Sequence, residues 1–459
     1  MKKVLYILIA TLVTTSCSVF QRYSRPEIST ENLFGDSVTT TDTVTIADIG
    51  WQEFFTDKYL QKLIEQGLQN NPDMQIAAQR INSAEATLRS AKLAFIPGFS
   101  FDPSYQATTS PSSSYSVPVV ASWEIDITGK ILNNKRSAQS AYEQSRLYRQ
   151  SVQTSLISAI TNSYYTLLML DAQLAISRST AASWKENVRI MKAMKLAGMT
   201  NEAAVAQTEA NSLEIDASLL TLQYNIIKAE NALALLLGTT PQHFERGSIH
   251  DQNFDIPLSV GTPSQLLSRR PDVRSAEKQL EQAFYATNMA RGAFIPSLMI
   301  NGSLDVASIF SELLASVAAN LSATIFNAGS KQARLKIAKA EQEQALIAFK
   351  YTLLTAGNEV NDAIAKCQTA RDKRDIRKQQ ITSLENAVNS TRQLMSHSES
   401  TYLEVLTAQQ KLLSAQLSQI NDKFDEIQGV INLYRALGGG VDSTEDISTL
   451  PKREKKSKR

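Results

Sequence analysis

The chain has 459 residues, a formal net charge of +2 and 7% aromatic residues. That length gives room for a large core, and the near balance of charge removes the electrostatic footprint of a nucleic-acid binder. The only cysteines are Cys17 and Cys367; with Cys17 acylated, Cys367 has no intrachain partner and no disulfide framework is expected.

Residues 1–17 read as an export signal. Lys2 and Lys3 open it, Val4 to Val13 form a short apolar run, and Thr14, Thr15 and Ser16 precede Cys17. The run is too short to span a bilayer as a helix. A cysteine after small residues resembles the lipobox of bacterial lipoproteins, in which Cys17 becomes the acylated first residue. Thr14 departs from that pattern, where Leu or Val is usual. Beyond the signal no run of 18 apolar residues occurs. A chain embedded in a membrane would then have to use strands.

Residues 18–55 are Ser/Thr-rich and read as an irregular arm, with Trp51, Phe54 and Phe55 as candidates to tuck it down. Asn71-Pro72-Asp73 is a helix start, with Asn as cap and Pro at the first helical position. The spacing predicts a helix over 72–95, ending before Pro97. The period then changes to two, predicting strands at 98–107 and 115–127 around a polar turn. Apolar Phe99, Phe101, Tyr105, Val119, Ala121, Trp123 and Ile125 alternate with polar neighbours such as Ser100, Ser122 and Glu124. Strands of this length can cross a bilayer with an apolar and a polar face. A soluble, half-buried hairpin shows the same alternation; the export signal favours the membrane.

From Lys130 to Ala197 there is neither Gly nor Pro. A helix over 130–197 would be ~100 Å long. Leu156, Ile160, Leu167, Leu170, Leu174, Ala181, Trp184, Val188 and Met191 step by three and four, a seam for coiling against neighbours. Gly198, Met199 and Thr200 form the expected turn, and a return helix is predicted over 200–237. The return helix (~58 Å) and the first helix (~36 Å) together nearly match the outgoing one, so the two should meet end to end, near the Pro/Gly-richer belt from Gly238 to Pro271.

The whole pattern then repeats. Residues 71–97 align with 270–296 without a gap, and nine of the 27 positions are identical, Pro72, Asp73 and Phe95-Ile96-Pro97 among them. The second copy predicts a helix at 271–294, strands at 297–307 and 316–326, and helices at 330–397 and 401–437, with Gly357 the one breaker in its long helix. The expected organisation is a signal at 1–17, an arm at 18–55, one repeat over 56–255, a second over 256–440, and a basic tail over 441–459. The tail reads as solvated and disordered.

Four strands cannot close a barrel, and open edges in lipid leave unsatisfied backbone groups at several kcal/mol each. Other copies must complete the sheet. Two would give eight strands and a filled interior, three would give twelve and room for a lumen; the polar strand faces favour the lumen.

Leu266-Leu267-Ser268-Arg269-Arg270-Pro271-Asp272-Val273-Arg274-Ser275-Ala276-Glu277 resembles the signature of TolC-like outer membrane efflux lipoproteins of the NodT type. Ala293-Phe294-Ile295-Pro296-Ser297, Ser122-Trp123-Glu124-Ile125-Asp126 with Gly129, and Ile325-Phe326-Asn327-Ala328-Gly329 fit the same family. The resemblance spans about residues 50–440. It implies a mainly α chain with a membrane β-barrel: a homotrimer with a 12-stranded barrel and a long periplasmic α-helical barrel. It further implies docking to a periplasmic membrane fusion (adaptor) protein and an inner-membrane RND-type transporter, with the chain sorted to the outer membrane and anchored in its lipid. The implied activity is passive export. The outlet of a type I secretion system, or a lipid-anchored periplasmic spacer or adaptor, are the alternatives.

No nucleophile motif, phosphate loop or metal spacing is present; His243, His250 and His397 lie far apart. The chain reads as no enzyme, with no cofactor and no metal. By the resemblance, adaptor docking falls on the tips, Gly198, Met199 and Thr200 in one copy and His397, Ser398, Glu399, Ser400 and Thr401 in the other. Tyr402-Leu403-Glu404-Val405-Leu406 resembles the segment that carries carboxylates to the periplasmic constriction, which makes Glu404 the candidate gate residue. Three such carboxylates around an axis would attract cations and repel anions. Thr407 stands where some relatives carry a second acid. Glu202 and Glu209 read as solvated-face charges, and Arg269 and Arg270 as structural.

Overall fold

The computed structural model describes residues 21–35, 44–101, 103–106, 114–116, 118–254, 258–305, 315–322, 329–396 and 402–440. Cys17 with the rest of the signal, residues 397–401 and the tail 441–459 lie outside them.

In chain order the elements are α1 (Trp51–Phe54), α2 (Lys58–Asn70), α3 (Pro72–Leu93), β1 (Gly98–Phe101), β2 (Ser104–Gln106), β3 (Ser114–Ser116), β4 (Pro118–Ile125), α4 (Lys130–Leu196) and α5 (Glu202–Leu236). There follow α6 (Leu266–Arg269), α7 (Pro271–Gly292), β5 (Ser297–Asp305), β6 (Ala315–Ser322), α8 (Ser330–Ser396) and α9 (Tyr402–Ala436). The long helices α4 and α8 have 67 residues each, and the return helices α5 and α9 have 35 each. Equal lengths in the two copies follow from equal spacing of the turn residues.

The chain forms two compact units. The first takes Ile76–Arg149 and Pro271–Leu354 together with residues up to Ser29; the second takes Thr30–Gln75, Gln150–Arg270 and the chain from Thr355 onward.

The first unit holds the strands. Its sheet is antiparallel in the order β1-β4-β5-β6, and β2 pairs with β3. Gly98 opposite Ser122 and Ser104 opposite Ser116 keep one register, so β2 and β3 continue the β1–β4 hairpin. The break between the two ladders is flanked by Pro103 and Pro118, which have no N–H to donate. Register also sorts the faces. Val119, Ala121, Trp123 and Ile125 are opposite Leu304, Gly302, Ile300 and Leu298, and these in turn oppose Ala315, Val317, Ala319 and Leu321. Phe99 and Phe101 join them, opposite Ala121 and Val119. Every position on this face is apolar. The other face is mixed, with Ser100, Ser122, Glu124, Asn301 and Ser303 beside Val120 and Met299.

β4 ends at Ile125 because Asp126 turns to the helix. Its carboxylate accepts from the Ile131 and Leu132 amides at 3.1 and 2.7 Å, capping α4. Below the sheet, Leu88 and Ala91 of α3 pack on Ala138 of α4, and buried Thr287 of α7 donates to the Ala338 carbonyl of α8 at 3.1 Å.

The second unit is held by aromatic contacts. Trp51, Phe54 and Phe55 are buried, and Phe54 stacks on Tyr434 with centroids 4.1 Å apart. Asp57 caps α2 through the Tyr59 amide at 2.8 Å and accepts from the Tyr164 hydroxyl at 2.7 Å and Gln252 at 3.0 Å. Helix α8 passes through Gly357 without a break. The glycine is there for space: a Cβ would overlap the Leu33 carbonyl oxygen of the arm.

Candidate functional site

The first tip is a closed helix-turn-helix. Met199 N–H donates to the Met194 carbonyl at 2.9 Å and Gly198 N–H to Lys195 at 3.0 Å, satisfying the last carbonyls of α4. Gly198 sits at φ +73°, the left-handed region that a side chain would strain. Asn201 then caps α5 by accepting from the Ala204 amide at 3.0 Å. Met199 and Leu196 project into solvent at 66% and 90% exposure, while Thr200 is half-buried.

Glu202 and Glu209 are not merely solvated. Lys195 pairs with Glu202, Lys192 with Glu209 at 2.5 Å, and Lys185 with Asp216 at 3.1 Å. The three acids recur every seven residues along one stripe of α5, facing lysines on α4. All three pairs are solvent-exposed, so each contributes a few tenths of a kcal/mol and together they set the register of the hairpin. No local pattern in the sequence marks this seam, because the partners are up to 31 residues apart (216 − 185).

Of the second tip, His397, Ser398, Glu399, Ser400 and Thr401 fall outside the described residues. Glu404 lies in the first turn of α9 and is exposed. An anion is favoured there by the amide groups of the helix N-terminus. The next two residues are anchors: Val405 and Leu406 are 2% and 3% exposed. Leu406 packs in a cluster with Ala181, Trp184 and Ile215, so α4, α5 and α9 meet just beside the carboxylate. Asn187 donates to Gln409 at 2.9 Å and Gln173 to Asn421 at 2.7 Å, fixing α9 along α4. Thr407 donates its hydroxyl to its own helix, to the Leu403 carbonyl at 2.8 Å. Glu404 is thus the acid of a rigidly seated helix start.

Among the described residues no group of three or more His, Cys, Asp or Glu could hold a metal ion, and no helix is long and apolar enough to cross a membrane. Arg270 is buried, donating to Glu359 at 2.7 Å and to the Ala436 carbonyl at 3.0 Å. Cys367 is buried, its thiol pushed up to about 11 chiefly by burial.

The profile of the outer membrane efflux protein family matches residues 63–239 and 262–439, once for each copy of the repeat. The chain belongs to that family. It is 28% identical over 447 residues to the cation efflux system protein CusC of Escherichia coli K12, across 94% of this chain and 97% of that one. It is 30% identical over 410 residues to the solvent efflux pump outer membrane protein SrpC of Pseudomonas putida, across 85% and 87%. A crystal structure of CusC superposes with a TM-score of 0.79 at 26% identity, across 92% of this chain and 98% of that one. The fold is therefore that of the TolC-like outer membrane channels. Membership in a channel family sets aside the spacer and adaptor reading.

Proposed function

We propose that this efflux protein is the passive exit duct of a tripartite pump, built by three copies of the chain. Each contributes four strands to a 12-stranded barrel and its long helices to a periplasmic helical barrel. A periplasmic adaptor binds the tips, and an inner-membrane RND-type transporter supplies the energy. Cys17, acylated, anchors the chain in outer membrane lipid. Glu404 lines the narrow periplasmic end, where three carboxylates concentrate cations and resist anions. Relatives named for cation efflux and for solvent efflux both resemble this chain, which supports a duct that leaves cargo choice to the transporter.

The observation that carries this reading is the sheet. One face is apolar at every position while, among the described residues, β1 and β6 each have one unpaired edge. Such a face suits lipid, and such edges demand neighbouring copies. The test is a deletion strain scored for accumulation of dyes, drugs and bile salts. The wild-type gene should restore export, and Ile300→Asp, a charge on the apolar face, should not, although the protein is made. Full export by that variant would contradict the lipid-facing assignment.

A further inference from the structure

A cavity of about 350 Å³ lies within the second unit, between the segment at residues 249–254 and helices α8 and α9. Its walls are partly apolar: Ile249, Phe254, Ile420 and Ile427 are all buried. Its charges are unevenly matched. Asp422 accepts from Arg377 Nε at 2.9 Å, with Lys373 at 3.8 Å, and Glu426 accepts from Arg371 Nε at 2.9 Å. Both carboxylates are buried and already held.

Two more cations line the same space. Among the described residues, neither Arg374 nor Lys423 has a carboxylate within ion-pair distance; Lys423 donates to the His250 carbonyl at 3.2 Å. Lys423 is half-buried. Its ammonium is held below the usual amine range by burial, with Glu426 and Asp251 pulling the other way. Asp422 and Glu426 are held by other cations, and Asp251 acts only from beyond ion-pair distance, so this half-desolvated ammonium has no carboxylate in direct contact. The space is of the size and mixed polarity that small-molecule sites have.

We propose that this cavity binds an organic anion with an apolar body, its carboxylate or sulfonate head meeting Lys423 and Arg374 and its hydrocarbon lying on Phe254, Ile420 and Ile427. Charge-assisted hydrogen bonds from the two cations would set the head, and burial of the tail would supply the rest of the affinity. The site is separate from the tips and from Glu404, so it stands or falls apart from the duct.

The test is equilibrium dialysis of radiolabelled decanoate against the full chain in lipid nanodiscs, with protein-free nanodiscs subtracting partition into lipid. The expected result is one saturable site per chain. Arg374→Glu and Lys423→Met should each weaken it by about tenfold or more, and decylamine should show no saturable binding. Arg374 is exposed, so its reversal leaves the fold intact and tests the site even if the lysine variant is unstable. Uptake no greater than that of empty nanodiscs, equal saturable binding of decylamine, or decanoate affinity unchanged in Arg374→Glu would each overturn the proposal.

Discussion

Asn71 donates from Nδ2 to the Leu236 carbonyl at 2.9 Å, tying the start of α3 to the end of α5. The second copy repeats the tie with a different side chain: Arg270 donates from Nη1 to the Ala436 carbonyl at 3.0 Å. The glycines that follow each return helix also correspond. A Cβ on Gly238 would meet the Asn70 carbonyl oxygen at 2.6 Å, and one on Gly438 would meet the Arg269 carbonyl carbon at 3.1 Å. Both sit in the left-handed region, at φ +65° and +90°. The end of one helix is thus pressed against the beginning of another at the same point of each repeat, inside the second unit.

The two ties should differ in weight. Asn71 also caps α3, accepting from the Asp73 and Met74 amides at 2.8 and 3.2 Å. Asn71→Ala should cost about 1–2 kcal/mol. Arg270→Met removes a buried cation from Glu359, which keeps Arg435 at 3.3 Å, and should cost about 2–3 kcal/mol. Denaturant unfolding of the detergent-solubilised protein measures both, and equal stability of Arg270→Met and wild type would contradict the assignment.

Gly357→Ala should loosen the N-terminal arm rather than break α8. The added methyl would displace the Leu33 backbone, while alanine itself favours a helix. Limited proteolysis should then cleave near Leu33 several-fold faster, with helical content by circular dichroism unchanged. A loss of helicity with no new cleavage would mean that the glycine serves the helix and not the arm.

Buried Cys367 gives a clean probe of the α8–α9 packing. With its thiol raised to about 11 by burial and fully enclosed, it should ignore maleimide in the native state and react in denaturant. Rapid native labelling at neutral pH would show that this helix pair is open.

Glu404→Ala should raise single-channel conductance and weaken block by divalent cations in planar bilayers, by about severalfold, because a ring of charges at a constriction governs ion entry. Its exposure at the start of α9 leaves the fold intact. Currents and cation sensitivity identical to wild type would remove Glu404 from the gate.

The long elements were legible for a simple reason. Between Lys130 and Leu196 nothing interrupts a helix, and Gly198 is the first residue able to close its end without strain. Alternation of apolar and polar residues marked the strands, since one buried or lipid-facing side forces a period of two. What was hidden depends on partners remote in sequence. Arg25 binds Glu277 through a two-pronged contact at 2.6 and 2.7 Å across 252 positions, and neither residue signals it locally. The same holds for Leu406 beside Trp184. The strand end at Ile125 was obscured because Asp126 and Ile127 continue the alternation while Asp126 serves the helix. Glycine 357 looked like a breaker because its tight contact is with another part of the chain.

In the proposed assembly three chains share one barrel, the β6 edge of each completing the β1 edge of the next. Paired cysteines placed along β1 and β6, with Cys367 replaced by Ala, test it by oxidation in outer membranes. A covalent ladder that ends at three chains is expected for at least one register of the pair. Oxidation that yields only an intrachain bond, or a ladder that stops at two chains, would contradict it.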